Sequence, residues 1–278
     1  MIDLRPLIAQ PGRNDLDVEL PALPGRRIIL RCARPRHFTF ATPILFVHHG
    51  VNRNGADYRD YWLPLVDEAD LLVIAPEFPN EGFPRAPWYN FGNRATAAGR
   101  EKPQAEWTYG LDKFVFDAMR DQDLTRRRTY GVWGHSAGGQ FVHRMIELGL
   151  RDNVRIAITA NAGTYAMPTL DVAYPFGLGG TGLDEAALRR LLGFRLTVMA
   201  GTADIDTTSE HFPRDKAAMA QGPTRYARAH NFIATARAEA ARLGITCAWN
   251  IIDVADVGHD GQRMAQAATR ILSATLHI

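Results

Sequence analysis

The sequence predicts an α/β fold, a mostly parallel, doubly wound sheet flanked by helices, and three observations lead there. Short apolar, β-branched runs alternate with stretches of helical periodicity. The runs are unbroken rather than alternating in polarity, which suits strands covered on both faces. A chain of 278 residues, 46% of them hydrophobic, can bury a large core and still form one domain.

Strands are expected at 27–31, 44–47, 71–75, 129–133, 154–160, 195–200 and 246–252, and helices at 59–69, 110–122, 137–149, 224–243 and 262–275. In the fourth helix Tyr226, Ala229, Phe232, Ile233, Ala236 and Ala240 recur at helical spacing. Two segments break the rhythm: 78–109 and 161–187 are rich in glycine, proline and aromatic residues. Loops this long inside a compact domain are commonly functional, and their aromatic content argues against disorder. They are expected to act as cap-like loops over the active site of a single domain spanning 1–278.

Composition removes several classes of function. The formal charge is +2 and no block of five like charges occurs, so no nucleic-acid partner is expected. Cys32 and Cys247 stand alone, without the spacing of a disulfide framework or a metal site. Asp3 and Arg5 interrupt the apolar start, and no later run reaches membrane-spanning length. The expectation is a cytoplasmic protein with a small-molecule partner, no membrane association, no cofactor and no metal. His48 and His49 are adjacent, but no H-E-x-x-H pattern accompanies them.

Gly134-His135-Ser136-Ala137-Gly138 matches G-x-S-x-G between an expected strand and an expected helix. That context is the nucleophile elbow, a tight turn that lifts the serine hydroxyl above the sheet edge. A serine hydroxyl needs a base, and the base needs an acid to orient it. In this arrangement the chain order is serine, acid, histidine. His259, after the strand at 246–252, is the expected base. Asp204, just beyond the strand at 195–200, is the expected acid, with Asp206 as the alternative. Asp256 and Asp260 stand too close to His259 in sequence. The oxyanion needs two N–H donors, expected from Ala137 and from Val51 in the His48-His49-Gly50-Val51 loop. His49 is read as a loop brace. Trp88, Tyr89, Trp107 and Tyr165, with Phe91, Tyr109 and Phe176, are candidates to line the substrate cleft, the alternative being that they anchor a long loop.

The HHG loop, the GHSAGG elbow, GTADID and the late VGHD resemble bacterial α/β-hydrolases of the polyhydroxybutyrate-depolymerase-like esterase group. APEFP, YNFGN, EWTYGLDKFVFDAMR and AQGPTRYARAHNF add to the likeness, which covers most of 44–270. The resemblance implies the α/β-hydrolase fold and a carboxylic ester hydrolase with Ser136 as nucleophile, Asp204 as acid, His259 as base, and Ala137 and Val51 as oxyanion donors. Polyester depolymerase, thioesterase and amidase activities use the same chemistry. A catalytically silent binding relative is the reading from another class. Secreted depolymerases usually carry signal peptides and polymer-binding modules; the chain shows neither, so soluble esters are the expected substrates.

Overall fold

A computed structural model describes residues 2–277. Its centre is an eight-stranded sheet of β1 (Gly12–Glu19), β2 (Arg27–Arg34), β3 (Ile44–His48), β4 (Leu72–Glu77), β5 (Tyr130–His135), β6 (Val154–Ala160), β7 (Leu196–Gly201) and β8 (Asn250–Val254). The order is β1-β2-β4-β3-β5-β6-β7-β8. β2 runs antiparallel to both β1 and β4, and every pairing from β4 onward is parallel. The helices are α1 (Gly55–Trp62), α2 (Val66–Ala69), α3 (Arg85–Trp88), α4 (Leu111–Asp121), α5 (Ala137–Glu147), α6 (Glu185–Leu192), α7 (Lys216–Ala220), α8 (Arg225–Arg242) and α9 (Gly261–Leu276). The connections agree with an α/β-hydrolase fold.

The unbroken apolar strands have the expected cause. Side chains alternate across a strand, and here both sides are covered. Ile44, Phe46, Leu72, Ile74 and Val132 join the core under α4, α5, α6 and α8. Leu45, Val47, Val73, Ala75 and Trp133 join the core under α1, α2 and α9.

Besides the short helices α3 and α7, which were not expected, the structure departs from the sequence expectation at four places. The expected helix at 59–69 is two helices, because Pro64 lacks an N–H and its ring obstructs the preceding turn; α1 ends at Trp62 and α2 restarts at Val66. β1 was not expected, since GRNDLDVE carries polar residues of low strand propensity. It forms by packing Val18 inward while Asp15 and Asp17 face Arg31 and Arg27 across the pair. The expected strand at 246–252 lies at Asn250–Val254. Ala248 N–H donates to the Leu192 carbonyl and the Trp249 indole to the Leu191 carbonyl, so this stretch seats on the end of α6 before it reaches the sheet. α6 itself, capped by Asp184 accepting from Ala187 N–H, was also not expected.

Candidate active site

Ser136, Asp204, His259 and the 48–51 loop follow β5, β7, β8 and β3, and all lie at the carboxyl ends of parallel strands. Ser136 has φ 58° and ψ −116°, a strained backbone for a residue other than glycine. The glycines beside it are needed for clearance. A Cβ on Gly134 would lie 2.2 Å from the Gly138 carbonyl oxygen, and one on Gly138 would lie 2.1 Å from the His48 carbonyl oxygen. Strand, helix and the end of β3 touch at this turn.

The Ser136 hydroxyl donates to His259 Nε2 at 2.9 Å, and His259 Nδ1–H donates to Asp204 Oδ2 at 2.8 Å. Asp204 is 1% exposed and the His259 side chain 30%. Arg225 Nη1 reaches the other Asp204 oxygen at 3.4 Å. Asp206 is exposed and accepts from the N–H and hydroxyl of Thr208, 2.7 Å each, which makes it a turn brace outside this chain of hydrogen bonds. Asp260 caps α9, accepting from Arg263 N–H. Asn161, which the sequence did not single out, ties the two loops together. Its amide donates to the Gly258 carbonyl at 2.8 Å and its Oδ1 accepts from Gly201 N–H at 2.8 Å.

Ala137 is the first residue of α5, so its N–H has no partner within the helix. Neither Ala137 N–H nor Val51 N–H donates to another group among the described residues. His49 explains the direction of the second. Its Nε2 accepts from Phe78 N–H at 3.1 Å, so the proton sits on Nδ1 and donates to the Gly50 carbonyl at 2.9 Å. The carbonyl of Gly50 and the N–H of Val51 belong to one planar trans peptide and point oppositely. Holding the carbonyl against His49 therefore turns the N–H away from that ring. Burial depresses the His49 imidazole to about 3, so it stays neutral. His48 turns elsewhere, its Nε2 to Asp112 Oδ2 at 2.9 Å.

The chain matches no protein-family model and no curated protein. Among solved structures it is similar to LpqC, a poly(3-hydroxybutyrate) depolymerase from Bordetella parapertussis, with 38% identity, 95% of this chain and 90% of that one covered, and a TM-score of 0.90. It is also similar to poly(aspartic acid) hydrolase-1 from Sphingomonas sp. KT-1, with 36% identity, 95% and 99% coverage and a TM-score of 0.90. The chain belongs to the polyhydroxybutyrate-depolymerase-like group of α/β-hydrolases. An S-formylglutathione hydrolase from Agrobacterium tumefaciens, 15% identical with 95% of each chain covered and a TM-score of 0.58, shares the fold.

Two hollows meet at Ser136 in this hydrolase. One, about 190 Å³, is lined by Ala137, Gln140, Thr164 and the apolar Phe91, Phe176 and Pro213. The other, about 200 Å³, is lined by Asn52, Asn54, Tyr58, Tyr61, His135 and His259. Val51, His211 and Arg225 border both. His135 takes part in neither proton step: it is buried, held neutral by desolvation, bonded through Nδ1 to the Tyr58 hydroxyl at 2.8 Å, and packed 4.7 Å from the His259 ring.

The four aromatic residues expected to line the cleft lie elsewhere. Tyr89 is buried, stacked on His49, and donates its hydroxyl to the His49 carbonyl at 2.7 Å. Tyr165 is buried and stacked on Phe232. Trp88 packs under Arg26 and Lys102. Trp107 borders a separate apolar hollow of about 250 Å³ with Leu23 and Phe114. Tyr109 is also core. Large rings bury enough apolar area to anchor a long loop, and that is their work here. Of the seven candidates, Phe91 and Phe176 border the cleft. The sequence reading missed Arg225. Its signal was a cation in the first turn of a helix capped by Thr224, where the helix dipole disfavours positive charge.

Proposed function

We propose that this hydrolase cleaves carboxylic esters through an acyl-enzyme on Ser136. His259 takes the serine proton on Nε2 as Oγ bonds to the carbonyl carbon. Asp204 holds the imidazole by its Nδ1–H and stabilises the imidazolium. Negative charge on the carbonyl oxygen is received by the N–H groups of Ala137 and Val51. Collapse breaks the ester bond, the alkoxide takes the proton back from Nε2, and water repeats the sequence to free the acid.

The observation that carries this reading is the unbroken line Asp204–His259–Ser136, with bonds of 2.8 and 2.9 Å ending on a serine in a strained turn. A catalytically silent relative has no use for that strain. The test is labelling by a fluorophosphonate probe, with the modified residue located by mass spectrometry. Labelling at Ser136, lost in Ser136→Ala together with ester turnover, is expected. Turnover in a clean Ser136→Ala preparation rejects the reading.

The names of the two similar proteins point to a polyester and to poly(aspartic acid), so the reading extends to amides. Hollows of about 190 and 200 Å³ suit short-to-medium soluble substrates. An ester panel of varied acyl length beside a polymer emulsion tests this. Rapid clearing of the emulsion with poor soluble turnover contradicts it.

A further inference from the structure

The two hollows at Ser136 are unlike, and the direction of proton transfer says which part of an ester each holds. His259 returns its proton to the departing oxygen, so the alcohol portion leaves on the His259 side. That side carries Asn52, Asn54, Tyr61 and Ser209, and His211 lies at the junction of the two hollows. The acyl portion occupies the side of Ala137, where Phe91 and Phe176 provide apolar walls.

Arg225 borders both, and it is poorly satisfied within the protein. Its side chain is 3% exposed. Nη1 makes two long bonds, to Asp204 Oδ1 at 3.4 Å and to the Asp206 carbonyl at 3.5 Å, and the buried Nε has no acceptor among the described residues. The guanidinium carbon lies 5.1 Å from the centre of the Phe212 ring, and Nη2, unlike the sealed Nε, is not fully buried and makes no hydrogen bond among the described residues. Because Arg225 lines both hollows, Nη2 is the nitrogen that an oxygen in the cleft could reach.

We propose that Arg225 receives an oxygen acceptor carried by the alcohol portion of the substrate, and so selects esters with a carboxylate or carbonyl on that portion over esters of plain alkyl alcohols. The proposal rests on the ester-hydrolase reading above. Charge assigns the acceptor to the leaving side. Asp215 borders the acyl side, where it caps α7 and disfavours an anion. No acidic side chain lines the leaving side among the described residues. Asp57 and Asp260 stand outside it beside Tyr61, each already accepting a hydrogen bond, from Asn54 Nδ2 and Arg263 N–H.

The test uses three esters with one acyl group: butyl butanoate, methyl 3-(butanoyloxy)propanoate and the free acid of the latter. A hydrogen bond to a charged group is worth a preference of about ten- to hundredfold. The wild-type enzyme should show such a preference in kcat/KM, mainly through KM, for the acceptor-bearing esters. Arg225→Gln should reduce it to about twofold or less. A preference confined to the free acid assigns the site to a carboxylate, and one shared by both assigns it to a carbonyl oxygen. Product inhibition of the wild-type enzyme gives a second measurement that needs no variant. 3-Hydroxypropanoate should compete at concentrations where propan-1-ol does not. Equal inhibition by the two, no preference in the wild-type enzyme, or a preference that survives Arg225→Gln overturns the assignment, as does an equal fall for all three esters. Ser136-dependent turnover blind to the acceptor sinks only the role of Arg225, whereas turnover independent of Ser136 sinks the hydrolase reading itself.

Discussion

On one side of Ser136 the chain from His48 to Arg53 is fixed by its own side chains. His48 is bonded to Asp112, and His49 to Phe78 and Gly50. Arg53 donates to the carbonyls of Phe78, Phe83 and Arg85 at 3.3, 3.1 and 2.9 Å. All three side chains are buried. On the other side the loops bearing Asp204 and His259 run close to solvent, with Asp206 and Asp256 exposed and His259 partly so. The contrast matches the two tasks proposed for them. Donors that stabilise developing charge act best when they need not reorganise. A base that gains and loses a proton on each half-reaction requires contact with water and leaving group.

The largest expected effect breaks the solvent side. Asp204→Asn can present its amide to His259 and hold the wrong tautomer. By analogy with serine proteases, where the same change costs roughly 10⁴, a loss on the order of 10²–10⁴ in kcat is expected. Asp206→Asn should cost about tenfold at most, because its carboxylate only braces Thr208. Melting curves of both variants separate lost chemistry from a loosened loop. A crippled Asp206→Asn beside a mild Asp204→Asn would reverse the assignment.

The fixed side should respond differently. His49→Ala frees the Gly50–Val51 peptide to rotate and leaves Phe78 N–H unpaired. Loss of an oxyanion donor costs about 10²–10³, and misdirecting one should cost less, about 10–10², in kcat with KM little changed. Stability should fall by about 1–3 kcal/mol for the unpaired N–H alone. A rise in KM with unaltered kcat would place His49 outside the oxyanion machinery.

The smallest effects are in pH dependence. His259 must be neutral to accept the serine proton, so kcat/KM falls on the acid side. His49 and His135 are kept neutral by burial and add no further step. The acid limb of log kcat/KM should therefore have a slope of about one. A slope of two would bring a second imidazole into the reaction.

Stability has its own pH profile. His49, His135 and His143 are all depressed by burial, so below ~6.5 the unfolded chain binds protons that the folded chain does not, and stability falls toward the folded values. Glu147, buried and raised well above the ordinary carboxyl range, acts oppositely as pH rises past its unfolded value. With three histidines against one carboxyl, the net effect on unfolding is proton uptake, so stability falls as pH drops through the window between ~6.5 and ~4.5. Urea titrations across that window measure it, and stability independent of pH there would contradict the burial of these rings.

What the sequence revealed and what it hid follow from the range of the interactions. The elbow is local: strand, G-x-S-x-G and helix all sit within 129–147, so Ser136 could be placed from neighbours alone. His259 and Asp204 were legible as positions because each lies just past an apolar strand. Asp204 was separable from Asp206 only by weak arguments, since their difference is burial under Arg225, a contact with a residue 21 positions later. The aromatic residues at 88, 89, 107 and 165 failed for a related reason. A ring in a glycine- and proline-rich loop looks the same in sequence whether it faces the cleft or the core. Tyr89 turns inward because the His49 carbonyl needs its hydroxyl. β1 was hidden because its cross-strand charges, Asp15 to Arg31 and Asp17 to Arg27, make sense only once the pairing exists.

The place of β8 in the sheet should give the site an unequal resistance to heat. This strand lies at the end of the sheet, pairs only with β7, and none of its five residues is fully buried. β5, which delivers Ser136, lies in the interior and is buried along its whole length. Segments with few buried contacts open at lower free energy than the molecule as a whole. Amide exchange should therefore be faster in 250–260 than in 130–136. On warming, the His259 segment should come away while the Ser136 turn is still formed, so reversible inactivation precedes the calorimetric transition.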